Sequence, residues 1–293
     1  MPAPLVVDRT RTLEAPGNQM VLVTAHERET PALARLAVRF GAPLGVLVLG
    51  LVAWTVVVSA LHVQPYLVPT PWEIARAGFD ERSQFLTPIL VTMREAYLGF
   101  ALSAVLGVAV AMVMARWSTL EGGFYPYLLL FQTIPIIAIA PLLVVWIGAG
   151  SGTNMTVAAI ISFFPVVTNA LTGLKATDRN LVDLYRMAGA TRRDEMLTLR
   201  LPAALPYIFA GLRIAAGAAV IGAIVGEFVA GEGGGNGGLG YTITEDALQL
   251  RTPELFVGVV LSCLVALLLF SAVSTAGHLS LRRWHESARR RSD

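Results

Sequence analysis

The chain has 293 residues, 55% of them hydrophobic and 14% charged, where soluble domains carry about 25% charge; this excludes an ordinary soluble globule and argues for an integral membrane protein. The net charge is +2, and the 22 Lys/Arg gather at the ends of apolar segments instead of forming one basic face, which excludes a nucleic-acid partner. The single cysteine, Cys263, excludes an internal disulfide, and the four histidines have no metal-ligand spacing.

In chain order, residues 1–40 are polar and are expected to form a cytoplasmic tail without regular structure. They lack the apolar core of a secretory signal. Six apolar segments follow, at residues 44–61, 89–115, 124–147, 155–174, 207–229 and 255–278. Each is near the ~20 residues needed to cross ~30 Å of hydrocarbon. Pro126, Pro135 and Pro141 in the third and Pro165 in the fourth predict kinks. Kinks suit a path that opens and closes, although prolines are also commoner in membrane helices generally. Arg94 and Glu95, near the outer end of the second segment, either face the bundle interior or snorkel to water. Six spans put both chain ends on one side. That side collects eighteen Lys/Arg and the other only Arg76, Arg82, Arg94 and Arg251. The bias predicts cytoplasmic termini, a membrane domain over 41–280 and a basic cytoplasmic tail over 281–293.

Between the fourth and fifth segments lies a charged stretch, residues 178–206, with five arginines. It cannot sit in lipid, so it faces water or another protein. Leu181, Leu184, Tyr185 and Ala188 recur at i, i+3, i+4, i+7 and predict a short helix with one apolar stripe. Gly189 stands where a left-handed residue ends a helix. Thr191, with Asp194 three residues on, predicts the capped start of a second short helix. That helix carries Met196 and Leu199 and is expected to stop at Leu201-Pro202. Helix-turn-helix DNA readers share this local pattern, but the placement tight between two spans argues against that reading.

This stretch resembles the cytoplasmic loop of permease subunits of binding-protein-dependent ATP-driven importers. The family pattern is Glu-Ala-Ala, three residues, Gly, nine residues, an aliphatic residue, one residue, then Leu-Pro. Here Asp183-Leu184-Tyr185 opens the pattern, Arg186-Met187-Ala188 precedes Gly189, and Leu199-Arg200-Leu201-Pro202 closes it. The opening triplet departs, with Asp for Glu and Leu-Tyr for Ala-Ala. Further parts resemble the nitrate/sulfonate/taurine-type branch: Gln132-Thr133-Ile134-Pro135 with Pro141, Leu205-Pro206 through Ala215, and Gly226-Glu227 with Gly238-Leu239-Gly240-Tyr241. The resemblance implies that the loop seats in a groove of a separate cytoplasmic ATP-binding subunit dimer and converts its closure into motion of the spans. Residues 183–201 would be the coupling element. Gly189 gives the bend, Leu184, Ala188 and Met196 pack in the groove, and Arg186, Arg192 and Arg193 reach acidic rims.

Other motifs fall away. Gly235-Asn236-Gly237-Gly238-Leu239-Gly240 fits a dinucleotide pattern but follows a span rather than a strand, so a flexible outer loop is expected. No Gly-Lys-Ser/Thr exists, so the energy is expected to come from a partner that uses ATP or from an ion gradient, and no cofactor or metal is expected on this chain. Ala149-Gly150-Ser151-Gly152 and His278 fall at different depths, which argues against an intramembrane serine protease. The remaining alternative, a gradient-driven secondary transporter, would need internal repeats and has no need of the loop. The reading is therefore an all-α integral membrane protein, a six-transmembrane-helix bundle with cytoplasmic coupling helices between spans 4 and 5. It works as a homodimer with an extracytoplasmic solute-binding protein. The resemblance implies a sulfonate, taurine or nitrate as solute, or, from related branches, a vitamin-like ring such as the thiamine pyrimidine precursor or riboflavin. The lack of unpaired Arg or Lys in mid-span leans toward a neutral ring.

Overall fold

The computed structural model describes residues 10–14, 20–24, 32–231 and 237–282. The chain forms two compact units, Met1–Val63 and Gln64–Asp293. In the first, β1 (Thr10–Glu14) and β2 (Met20–Thr24) pair antiparallel with Thr10 opposite Thr24, within the tail expected to lack regular structure. Helix α1 (Ala32–Ala60) then contains the first apolar segment, Leu44–Ala60.

The second unit begins with α2 (Pro71–Asp80). Proline suits its first turn, and the Thr70 hydroxyl and Glu73 carboxylate cap it reciprocally. Then follow α3 (Arg82–Arg116), α4 (Ser118–Thr133), α5 (Ile136–Ile147) and α6 (Ser151–Lys175). Beyond these come α7 (Arg179–Met187), α8 (Arg192–Asp194) and a π-helical turn, Glu195–Arg200. The chain ends in α9 (Leu201–Ala230), α10 (Leu239–Leu248) and α11 (Thr252–Arg282). Among the described residues, four helices are long and apolar enough to cross a membrane: Arg82–Arg116, Ser151–Lys175, Arg192–Ala230 and Thr252–Leu281.

The third expected span, 124–147, is not one helix. Helices α4 and α5 meet at 96°. Pro135 lacks an N–H and forces the residue before it out of the helical region, and Ile134 is extended at φ −71°, ψ 124°. Pro165 by contrast sits inside an unbroken α6.

Helices α3, α6 and α9 form the centre. Spans in lipid gain little from the hydrophobic effect between themselves and approach closely where side chains are small. Gly99 of α3 and Gly222 of α9 both lie against Ala158 of α6; a Cβ at either would fall 2.6 Å from an Ala158 carbon. Helix α11 packs on α9 and α10, and Val265 and Leu269 join the buried cluster of Ala96, Ala216 and Val220.

Candidate functional site

The predicted loop is two helices joined at a tight turn. Asp178 caps α7 by accepting the Asn180 N–H at 2.9 Å. Gly189 has φ +79°, the left-handed region that glycine enters without steric cost. Thr191 caps the next helix: its hydroxyl accepts the Asp194 N–H at 3.2 Å, and the Asp194 carboxylate accepts the Thr191 N–H at 2.9 Å. Both bends were legible from residue type.

The apolar stripe of α7 points outward. Leu181, Leu184, Met187 and Ala188 are exposed, Met187 at 86%, and Val182 is the α7 residue that is buried. Asp183 is exposed and only loosely paired with Arg186 at 3.9 Å. Met196 behaves differently from Leu184 and Ala188. It is partly buried against the cluster of Ala111, Met114 and Ala204, which turns it toward the spans. Leu199, Leu201 and Pro202 are also partly buried.

The second helix does not stop at Leu201-Pro202; it runs on from Arg192 to Ala230. A proline inside a helix removes one hydrogen bond, and its ring crowds the carbonyl four residues back. Here the helix widens just before the proline. The Leu201 N–H reaches Met196 O, five residues back, and Pro202 falls beyond the wide turn.

That same turn builds a feature the sequence did not announce. Glu195 is buried, and its carboxylate is held from both sides. Arg186 Nε donates to Oε2 at 3.1 Å, and Arg200 donates to Oε1 through Nε at 2.7 Å and Nη2 at 2.6 Å. Arg200 Nη1 also reaches Leu174 O near the end of α6, at 3.5 Å. The clamp fastens α7 to the base of α9 and to α6. Nearby, Lys175 pairs with Glu121 at 2.6 Å and ties α6 to the start of α4.

A second buried carboxylate lies at the opposite end of the spans. Glu227 of α9 accepts the Thr92 hydroxyl of α3 at 2.6 Å and the Gly240 N–H of α10 at 2.5 Å. The Leu239 N–H donates to the Thr92 oxygen at 2.8 Å. Glu227 and Thr92 thus satisfy the first N–H groups of α10. Any Cβ at Gly238 or Gly240 would collide with Glu227, so the glycines are required by close approach. The Gly-rich stretch is accordingly buried over 237–240 and opens a helix, where a flexible loop was expected; its positions 235 and 236 lie outside the described residues. Glu95 lies close enough to Glu227 for the two carboxyls to interact, and its Oε2 has no partner. Its neighbour Arg94 turns away to Ser151 Oγ at 3.0 Å, so the two adjacent charges take the two options open to them, interior and exterior. At the end of α10, burial pushes the Asp246 carboxyl up from its ordinary value, against the pull of the Arg251 guanidinium.

A charged, capped loop between long apolar helices defines a membrane transport subunit, and comparison with known proteins gives its family. Residues 103–284 match the binding-protein-dependent transport system inner membrane component, and the chain belongs to that family. It is 37% identical over 219 residues to the formylaminopyrimidine transport permease protein ThiX of Halalkalibacterium halodurans, covering 74% of this chain and 86% of that one. It is 32% identical to the riboflavin transport system permease protein RibX of Chloroflexus aurantiacus, over 84% of this chain and 91% of that one. The taurine transport system permease protein TauC of Escherichia coli is 25% identical over 77% of this chain and 83% of its own length. These relatives place the chain among ABC importer permeases of the nitrate/sulfonate/taurine branch, and they are permease subunits rather than enzymes. The fold agrees: an inward-facing structure of the MetNI methionine ABC transporter superposes with a TM-score of 0.59 at 18% identity, covering 68% of this chain and 97% of that one.

Proposed function

We propose that this chain carries a small, neutral, ring-bearing solute across the inner membrane, driven by a separate cytoplasmic ATP-binding subunit dimer that docks on residues 178–206. One observation carries the reading: α7 turns Leu181, Leu184 and Met187 outward from a stretch too charged for lipid. Apolar side chains held exposed on a rigid element mark a protein contact. In this reading Asp183, Leu184 and Ala188 meet the ATP-binding subunit and Gly189 sets the turn. Arg186 serves the clamp on Glu195. Met196, Leu199, Leu201 and Pro202 belong to the stem that passes motion into α9 without a break.

The six-span count takes Leu44–Ala60 as the first span and the bent α4–α5 pair as the third. Both termini then lie with the loop on the arginine-rich, cytoplasmic side. Two copies form the pathway around a two-fold axis, and an extracytoplasmic binding protein delivers the solute at the α10 end. Formylaminopyrimidine and riboflavin, named for two relatives, support a ring as cargo.

The test is a mild-detergent pull-down of the full chain with mass spectrometry of its companions. An ATP-binding subunit in equal amount supports the reading; none across several detergents overturns it. The cargo is tested separately, by thermal shift of the co-purified binding protein with pyrimidines, flavins, taurine and alkanesulfonates. Stabilisation by taurine alone would sink the neutral ring while leaving the importer.

A further inference from the structure

Beside the loop, a groove of about 550 Å³ opens between the last turns of α3 and the first turns of the 192–200 helix. Arg116, Arg192 and Arg193 line it together with Met112, Val113 and Leu197. Ala109 and Val113 are shared with a second trough of about 480 Å³, whose walls are wholly apolar and include Leu120, Phe124 and Leu128 of α4. The two form one surface, cationic at its mouth and apolar along the spans.

The three guanidiniums are largely uncompensated, Arg193 alone acting through space on a carboxylate, that of Asp194. Among the described residues, no ion pair reaches any of them. Asp194, next to Arg193, turns its carboxylate to Thr191, and Glu195 is taken by Arg186 and Arg200. Arg116 lies 5.4 Å over the Trp117 ring, an aromatic suited to the membrane–water boundary. From Arg116 back to Ala109 is two turns of α3, about 10 Å of depth. Val113, Phe124 and Trp117 remain about half exposed or more, so the described residues of the second unit do not fill the trough.

We propose that this groove binds an anionic phospholipid, its phosphate between Arg116, Arg192 and Arg193 and one acyl chain in the trough along α3 and α4. Charge and shape select it together. An acidic segment of a soluble subunit would satisfy the arginines but could not follow the trough to the depth of the spans. A span from a second copy would fill the trough but bring no anion to the mouth. A phospholipid supplies both in one molecule, and basic pockets beside spans are the sites where anionic headgroups settle. Because Arg192 and Arg193 begin the helix that carries the clamp and continues as α9, a bound lipid would brace the loop at the membrane surface.

The experiment is native mass spectrometry of the full chain taken into mild detergent from nanodiscs of equal parts phosphatidylglycerol and phosphatidylcholine. Phosphatidylglycerol should be retained in preference, by about fivefold for each arginine. Arg192→Gln with Arg193→Gln should lose most of that preference, and Arg192→Lys with Arg193→Lys should keep much of it. Val113→Trp should expel the lipid with every charge in place. Equal retention of the two lipids, or a preference that survives both the Gln pair and Val113→Trp, overturns the proposal. So does displacement of phosphatidylglycerol by inorganic phosphate, which would mean a free-anion site. Efficient cross-linking of Val113→Cys, in a Cys263→Ser background, to another protein chain in the intact transporter would also overturn it, because the groove would then hold protein.

Discussion

The two ends of the span bundle each bury a glutamate, and they stabilise it in opposite ways. Glu195 is held by two guanidiniums, one half-exposed on α7 and one largely covered at the foot of α9. Among the described residues Glu227 meets no cation; a hydroxyl and a backbone N–H satisfy it, with a second carboxyl alongside. The first is a clamp in contact with water, built from long side chains that can re-form after movement. The second is a short-range latch of backbone and hydroxyl groups in a dry layer, where close approach leaves no slack. Under the coupling proposed above, the difference suits a loop end that receives motion and a far end that stays sealed until it arrives.

The largest effect should come from the loop's turn. Gly189→Glu forces a side chain into left-handed geometry, costing roughly 1–2 kcal/mol, and puts a charge beside the exposed face of α7. Uptake should fall to background while the protein remains inserted and α10 remains protected from hydrogen exchange. Normal uptake by a fully inserted variant would mean that the loop does not couple.

Next is the latch. Glu227→Ala strands the Thr92 hydroxyl and the Gly240 N–H, at roughly 1–3 kcal/mol for each buried group left unpaired. Thermal unfolding should drop by several degrees, and exchange at the first amides of α10 should rise before that of α6. Thr92→Val removes one donor and one acceptor together and should fall between wild type and Glu227→Ala. If α10 exchange is unchanged in both variants, the helix is held by something else.

The clamp should matter less to stability. Glu195→Ala leaves Arg186 free to turn to water, so about 1–2 kcal/mol is expected instead of the full cost of breaking a buried pair. Its signature is a loosened α7: the ATP-binding subunit still binds, ATP is still hydrolysed, and uptake per ATP falls. Unchanged uptake per ATP would reduce the clamp to a structural ornament of the loop.

What the sequence disclosed follows from how local each feature is. The short helix α7, the Gly189 turn and the Thr191 cap depend on near neighbours and are legible in the sequence, although Tyr185 of the expected stripe is half-buried and Met187, outside it, is exposed. The proline break at Ile134-Pro135 was expected as a kink, but residue types alone do not give 96°. Glu195 is not marked in the sequence because its partner Arg200 is five residues on, a spacing that a regular α-helix puts on different faces and the π turn brings together here, and nothing in the composition marks that turn. For the same reason Leu201-Pro202 read as a stop. Glu227 was noticed only as part of a motif. Its partner Thr92 is 135 residues away, and no periodicity joins two residues across that distance.

The smallest expected effect is the sharpest test of the latch. Glu95 presses a second carboxyl on Glu227 and has an oxygen without a partner in a layer only 1–2% exposed. Two buried carboxyls in contact repel when both are ionised. Glu95→Gln keeps the shape, supplies a hydrogen-bond donor toward Glu227 and removes that repulsion, so stability should stay level or rise by about 1 kcal/mol. Uptake is then the informative readout. If Glu95 only fills the layer, uptake is unchanged. If the repulsion helps the far end open, the more stable variant should transport more slowly, and Glu95→Gln in a Glu227→Gln background should add nothing further, because the pair acts as one unit.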